Sequence, residues 1–126
     1  MYSFGGFNMF PGIDIIGIQR FTSACERTPK LQERLFTHRE IMELQAKNMT
    51  SWAAHFAGKE AILKALGTGL RGLSWHDIEI LSNDLGEPVV SLTERAEQFV
   101  RARGGTQIRL SLSHEKEYAI GMAILY

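Results

Sequence analysis

Apolar positions recur at helical spacing from Trp52 onward. At about 100° per residue, Trp52, Phe56, Leu63 and Leu66 share one arc, with Ile62 at its edge. That arc predicts a core-facing helix. Gly67 is placed to stop it in a left-handed conformation, and Gly69 and Gly72 keep the following loop open. Asn48 and Thr50 mark a break before it. Lys59 falls inside the apolar arc, Glu60 lies at its border, and Lys64 follows one turn later.

The rest of the pattern arranges itself around this helix. Pro11 to Ile18 is β-branched and apolar, a buried strand whose alternation puts Gly12, Asp14, Ile16 and Ile18 on one face. Gln19 to Arg39 predicts short helices and a loop broken at Pro29. Thr37 and Glu40 form a capping box for a helix running to about Lys47. Ser74 to Leu92 predicts a hairpin that turns at Asn83-Asp84-Leu85-Gly86, with Pro88 at the start of the returning strand. Ser91 and Glu94 form a second capping box for a helix to about Arg103, closed by Gly104-Gly105. Ile108, Leu110 and Leu112 alternate in a strand, Ser113 to Glu117 turns, and Ala119 to Tyr126 is a last apolar strand. This order predicts an α+β fold, a mainly antiparallel sheet packed against a long central helix. The last strand has almost no polar residue on either face, so both faces need cover.

Length and charge narrow the function classes. The 126 residues fit one domain, 1–126, with 1–10 as a short N-terminal extension. Formal net charge is zero, which argues against a general nucleic-acid binder. No apolar run approaches a membrane span, the start lacks the pattern of a signal peptide, and a lone Cys25 excludes an internal disulfide. A cytoplasmic protein is the expectation.

The candidate chemistry is sparse. Asp14 is a carboxylate in an apolar strand, and burying its charge requires a partner: backbone donors, a cation or a metal. A strand-end cap on a neighbouring turn is the plainer alternative. Glu60 and Lys64 have the spacing of an ordinary helix-surface ion pair, and Lys59 could snorkel along the core edge. His114 sits where the turn after Leu112 begins. Two carboxylates from different elements suit Mg²⁺, which keeps waters and takes substrate phosphates. Lysine and histidine nearby would contact those phosphates. Arg20, Arg27, Lys30, Arg34 and Arg39 make 20–39 the most positive stretch, either a solvated face or a docking patch for an acidic partner.

GIDIIGIQRF, FAGKEAILKALGTGLRGLSWHDIEIL, NDLGEPVVSL and LSLSHEKEYAIGMAIL, in this order, resemble the bacterial holo-[acyl-carrier-protein] synthases. These are the small class of 4′-phosphopantetheinyl transferases. The resemblance implies that class's fold, and transfer of 4′-phosphopantetheine from coenzyme A to a serine of apo acyl carrier protein. It implies release of adenosine 3′,5′-bisphosphate and a role in fatty acid biosynthesis. Asp14 and Glu60 match the magnesium ligands, Glu60 and Lys64 the catalytic motif, and Lys64 and His114 coenzyme A contacts. Arg20 and Arg34 match the docking surface for the acidic carrier protein. A homotrimer with active sites between subunits is implied as well. Phe10 replaces a glycine of the family pattern, Gly58 an alanine, His55 a common arginine and Glu87 a frequent lysine. A binding module without transfer, and a metal-dependent phosphohydrolase using the same carboxylates, are the rival readings.

Overall fold

The computed structural model describes residues 8–126. Of the extension at 1–10, residues 1–7 lie outside the described residues. Strand β1 is Phe10–Gly17 and leads directly into α1, Ile18–Arg27. Two short helices follow, α2 (Leu31–Leu35) and α3 (His38–Leu44), and then α4 (Met49–Leu66). A 3-10 turn at Trp75–Asp77 opens a hairpin of β2 (Ile78–Ser82) and β3 (Pro88–Leu92). Helix α5 (Glu94–Arg103), β4 (Ile108–His114) and β5 (Tyr118–Leu125) complete the chain.

The fold is α+β, with antiparallel strands in two sheets where the sequence suggests one. Strands β1, β5 and β4 form a three-stranded sheet with β5 in the middle, and β2 and β3 form a separate pair. Thr37 and Glu40 make the capping box of α3. At α5 the expected cap is displaced. Thr93, not Ser91, accepts the Ala96 N–H, because Ser91 is held in the ladder opposite Glu79. Gly67 ends α4 with φ 78°, as the glycine placement requires.

Helix α4 is buried on nearly every side rather than along one arc. From Trp52 to Leu66 only Lys64 is exposed. Small residues make this possible. Gly12 on β1 lies against the Ala61 carbonyl, and a Cβ built at Gly121 on β5 would stand 2.6 Å from the Ala57 carbonyl oxygen. Two glycines on adjacent strands thus let the helix backbone settle onto the sheet, and Asp14 is carried beneath the turn that bears Glu60 and Lys64. Gly12→Ala should therefore destabilise the protein by more than roughly 2 kcal/mol, since the clash is with helix backbone and not with a movable side chain. Urea titration checks this; a loss below a few tenths of a kcal/mol would contradict the close approach.

The other face of the three-stranded sheet is bare. Ile13 and Ile15 on β1 are 62% and 58% exposed, and Met122 on β5 is 39% exposed. Ile120 and Ile124 are half-buried on the same face. The final strand is covered on one side only, by α4.

Candidate active site

Asp14 points from β1 toward α4. The Lys64 Nζ donates to Asp14 Oδ1 at 2.8 Å. Lys64 thus bonds to the strand carboxylate across 50 residues of sequence, not to Glu60 one turn before it. The second Asp14 oxygen, Oδ2, is buried with no hydrogen-bond partner. Burial, with the Asp14 charge adding to it, raises the Glu60 carboxyl above its usual value of 4.5, against the opposing pull of Lys64. Two carboxylates and one ammonium therefore share the site, with a net negative charge and an orphaned anionic oxygen.

Glu60 and Lys64 line a cleft of about 520 Å³ with Leu63, Gly67, Gly69, Leu70 and Trp75. The glycine turn supplies an open wall because Gly67 and Gly69 adopt positive φ angles of 78° and 60°. Trp75 was not singled out by the sequence; its position directly after the glycine loop is the only signal that could have suggested it.

The donor set fits a hard divalent cation. Asp14 and Glu60 offer carboxylate oxygens, and one is buried and unpaired. Among the described residues no group of three metal-binding side chains occurs. Magnesium suits such a site, because it is commonly held by one or two carboxylates plus waters and substrate phosphates.

The raised Glu60 pKa has a consequence for stability. An acid whose folded pKa lies above its unfolded value is penalised when ionised in the fold. The penalty is fully present above the raised pKa and vanishes as pH falls through it toward 4.5. In metal-free protein, Glu60→Gln should raise Tm at neutral pH, with the gain disappearing at acid pH. Calorimetry across that range checks the sign; a lower Tm at neutral pH would contradict it.

A second cavity, of about 730 Å³, lies between α1, α2 and β1. Ile15, Ile16, Phe21, Leu31, Leu35 and Phe56 belong to its apolar lining, with Arg20 and Arg27 among the polar residues. Phe21 stacks on Phe56 at 5.4 Å and Phe56 meets Trp75 at 5.2 Å, so one aromatic run joins the cavity to the cleft.

The family model for the 4′-phosphopantetheinyl transferase superfamily matches residues 11–123. The chain belongs to that superfamily. Its relatives include the holo-[acyl-carrier-protein] synthase of Caldanaerobacter subterraneus subsp. tengcongensis, 40% identical over 119 residues, covering 92% of this chain and 93% of that protein. That of Clostridium acetobutylicum is 44% identical over 116 residues, covering 90% and 94%. Among solved structures, the holo-[acyl-carrier-protein] synthase of Neisseria meningitidis superposes with a TM-score of 0.85 at 27% identity, over 93% of this chain and 97% of that one. The Helicobacter pylori synthase in complex with coenzyme A gives 0.82 at 30% identity, over 92% and 99%.

Within this synthase fold the remaining sequence candidates separate. His114 is exposed at the end of β4, across Ala119 from Ile16, and does not line the Glu60 cleft. Arg20 lines the second cavity; Arg34 lies exposed on α2 and does not. His55 is buried, and burial pulls its pKa down to about 4, so it is a neutral core residue beside Glu43 and Lys47 and does not line the cleft. Glu87 accepts from the Asn83 side-chain amide at 3.0 Å in the hairpin turn. Gly58 has a packing reason: a Cβ there would stand 2.9 Å from Leu112 and 3.1 Å from Ile80. Lys59 does not snorkel. It is fully buried and paired with Glu40 at 2.6 Å.

Proposed function

We propose that this protein is a holo-[acyl-carrier-protein] synthase, which transfers 4′-phosphopantetheine from coenzyme A to a serine of apo acyl carrier protein. The observation that carries this reading is the Asp14–Glu60–Lys64 cluster at the edge of the cleft. It sits in a chain that matches synthases over nearly its whole length. The coenzyme A complex of the Helicobacter pylori relative supports the co-substrate.

The reaction is a displacement at phosphorus. The serine oxygen forms a bond to the phosphorus that bears pantetheine. The bond from that phosphorus to the bridging oxygen breaks, adenosine 3′,5′-bisphosphate leaves, and the serine proton is lost. Lys64 supplies positive charge to the phosphate oxygens. Asp14 and Glu60 would hold Mg²⁺, which when bound polarises the pyrophosphate and offsets charge on the leaving group. Glu60 thus serves the metal and the reacting centre together.

The Arg20 cavity faces the carrier protein in this reading. Carrier proteins of this kind are acidic, and Arg20 and Arg27 give the apolar cavity a positive lining suited to such a partner. Arg34 on the neighbouring α2 extends the positive surface. Arg20→Glu should raise KM for carrier protein about tenfold or more while leaving KM for coenzyme A nearly unchanged, and the difference should shrink at high salt. Equal changes in the two KM values would contradict a docking role.

This reading includes a homotrimer with active sites between subunits; the exposed Ile13, Ile15 and Met122 support contact between copies, and His114 of one subunit would serve the coenzyme A site of the next. A cytoplasmic location in fatty acid biosynthesis accords with this activity. Among the described residues, no helix is long and apolar enough to cross a membrane. Nucleotide analysis tests transfer against hydrolysis. Adenosine 3′,5′-bisphosphate should form only when apo carrier protein is present and in step with its conversion. Acceptor-independent cleavage would favour a phosphohydrolase.

A further inference from the structure

Lys59 lies one residue before Glu60, and the side chains of Lys59 and Glu40 are both 0% exposed. The ammonium has three N–H bonds and three acceptors. It pairs with Glu40 Oε1, and it donates to the Leu35 carbonyl at 2.8 Å and to the Trp75 carbonyl at 3.1 Å. The two carbonyls belong to different sites. Leu35 lines the Arg20 cavity and Trp75 lines the Glu60 cleft. Glu40 also accepts the Thr37 and Ile80 N–H groups, each at 2.8 Å, so the pair fixes the start of α3 and the middle of β2 to α4 as well.

Stability alone does not account for this arrangement. Removing two ions from water is expensive, and apolar replacement of a buried pair is often neutral or stabilising. What an apolar pair cannot do is hold two backbone carbonyls from two walls to one helical turn. We propose that Lys59 is a positioning residue, which sets the walls of both the coenzyme A cleft and the carrier-protein cavity relative to Glu60. The proposal rests on the assignment of cleft and cavity given above. Asp14, Glu60 and Lys64 keep their own contacts without it, so its loss acts on binding of both substrates and not on the displacement itself.

Two variants separate positioning from stability. Lys59→Met leaves the Glu40 charge buried and alone, and should lower Tm. Lys59→Met with Glu40→Gln removes both charges and keeps a side-chain oxygen for Ile80. This double variant should melt above Lys59→Met, since no buried charge is left alone, and below wild type, since the Leu35 and Trp75 carbonyls lose their donor. It should show KM raised at least about fivefold for coenzyme A and for apo carrier protein, with kcat within about twofold of wild type. A stable double variant with both KM values at wild type overturns the proposal. So does a change confined to one KM, or a loss confined to kcat. Wild-type protein run alongside distinguishes the two levels: if it makes no holo-carrier protein, the transferase reading fails first and the proposal with it. A second measurement needs no variant. In wild-type protein carrying isotope-labelled lysine, the buried Lys59 ammonium resonance should shift on adding coenzyme A and, separately, apo carrier protein. A response to only one, or to neither, overturns the shared role even if the double variant does not fold.

Discussion

Asp14→Ala and Glu60→Ala should each abolish transfer while the protein stays folded. Asp14 is bonded to Lys64 through one oxygen and leaves the other buried and unpartnered. An alanine there would remove one of the two carboxylates proposed to hold Mg²⁺, and would also release Lys64. Glu60 is half-buried and lies near Asp14, which together raise its pKa, so its removal should not unfold the metal-free protein. Stabilisation of transition-state charge by a metal is worth several kcal/mol, and each loss of about 1.4 kcal/mol slows the reaction tenfold. A fall of about a thousandfold or more in kcat/KM is the expected result. Added magnesium should not restore it. Turnover near wild type in either variant, with chelator present, would remove the metal assignment.

Assembly carries the second large effect. Ile13→Asp combined with Met122→Lys should convert a trimer to a monomer and reduce transfer more than about tenfold. Burying an isoleucine or methionine side chain is worth roughly 1.5–3 kcal/mol, and the symmetric interface repeats each contact in every subunit. Both residues are on the sheet face away from α4, so the monomer's own core should be spared. Sedimentation with parallel activity assays checks this. A monomeric wild type at full rate, or a monomeric variant at full rate, would contradict the shared site.

The sequence was most legible where a residue type has few uses. A glycine after the last apolar turn meant the end of α4, and Gly67 takes the left-handed conformation there. An aspartate in an apolar strand needed a partner, and it has Lys64. Long-range pairings were not legible. Glu40 read fully as a cap for Thr37, and the cap is real, but the same carboxylate also holds Lys59 and Ile80. Nothing local distinguishes a capping glutamate from one with two further partners. The single arc assigned to α4 followed its large residues; its small ones, Ala57, Ala61 and Ala65, turned out to be equally buried. His114 is the converse case. Its motif is recognisable, yet the fold leaves it exposed at the end of β4, outside the cleft.

The central claim is transfer of phosphopantetheine by the Asp14–Glu60–Lys64 site, and intact-mass spectrometry of the acceptor tests it most directly. Apo acyl carrier protein incubated with this protein, Mg²⁺ and coenzyme A should gain the mass of one phosphopantetheine group on its serine. The gain should disappear with chelator, with Glu60→Ala, or with the acceptor serine replaced by alanine. An acceptor of unchanged mass, under conditions where coenzyme A binding is demonstrated by calorimetry, would contradict the account and leave a binding module in its place.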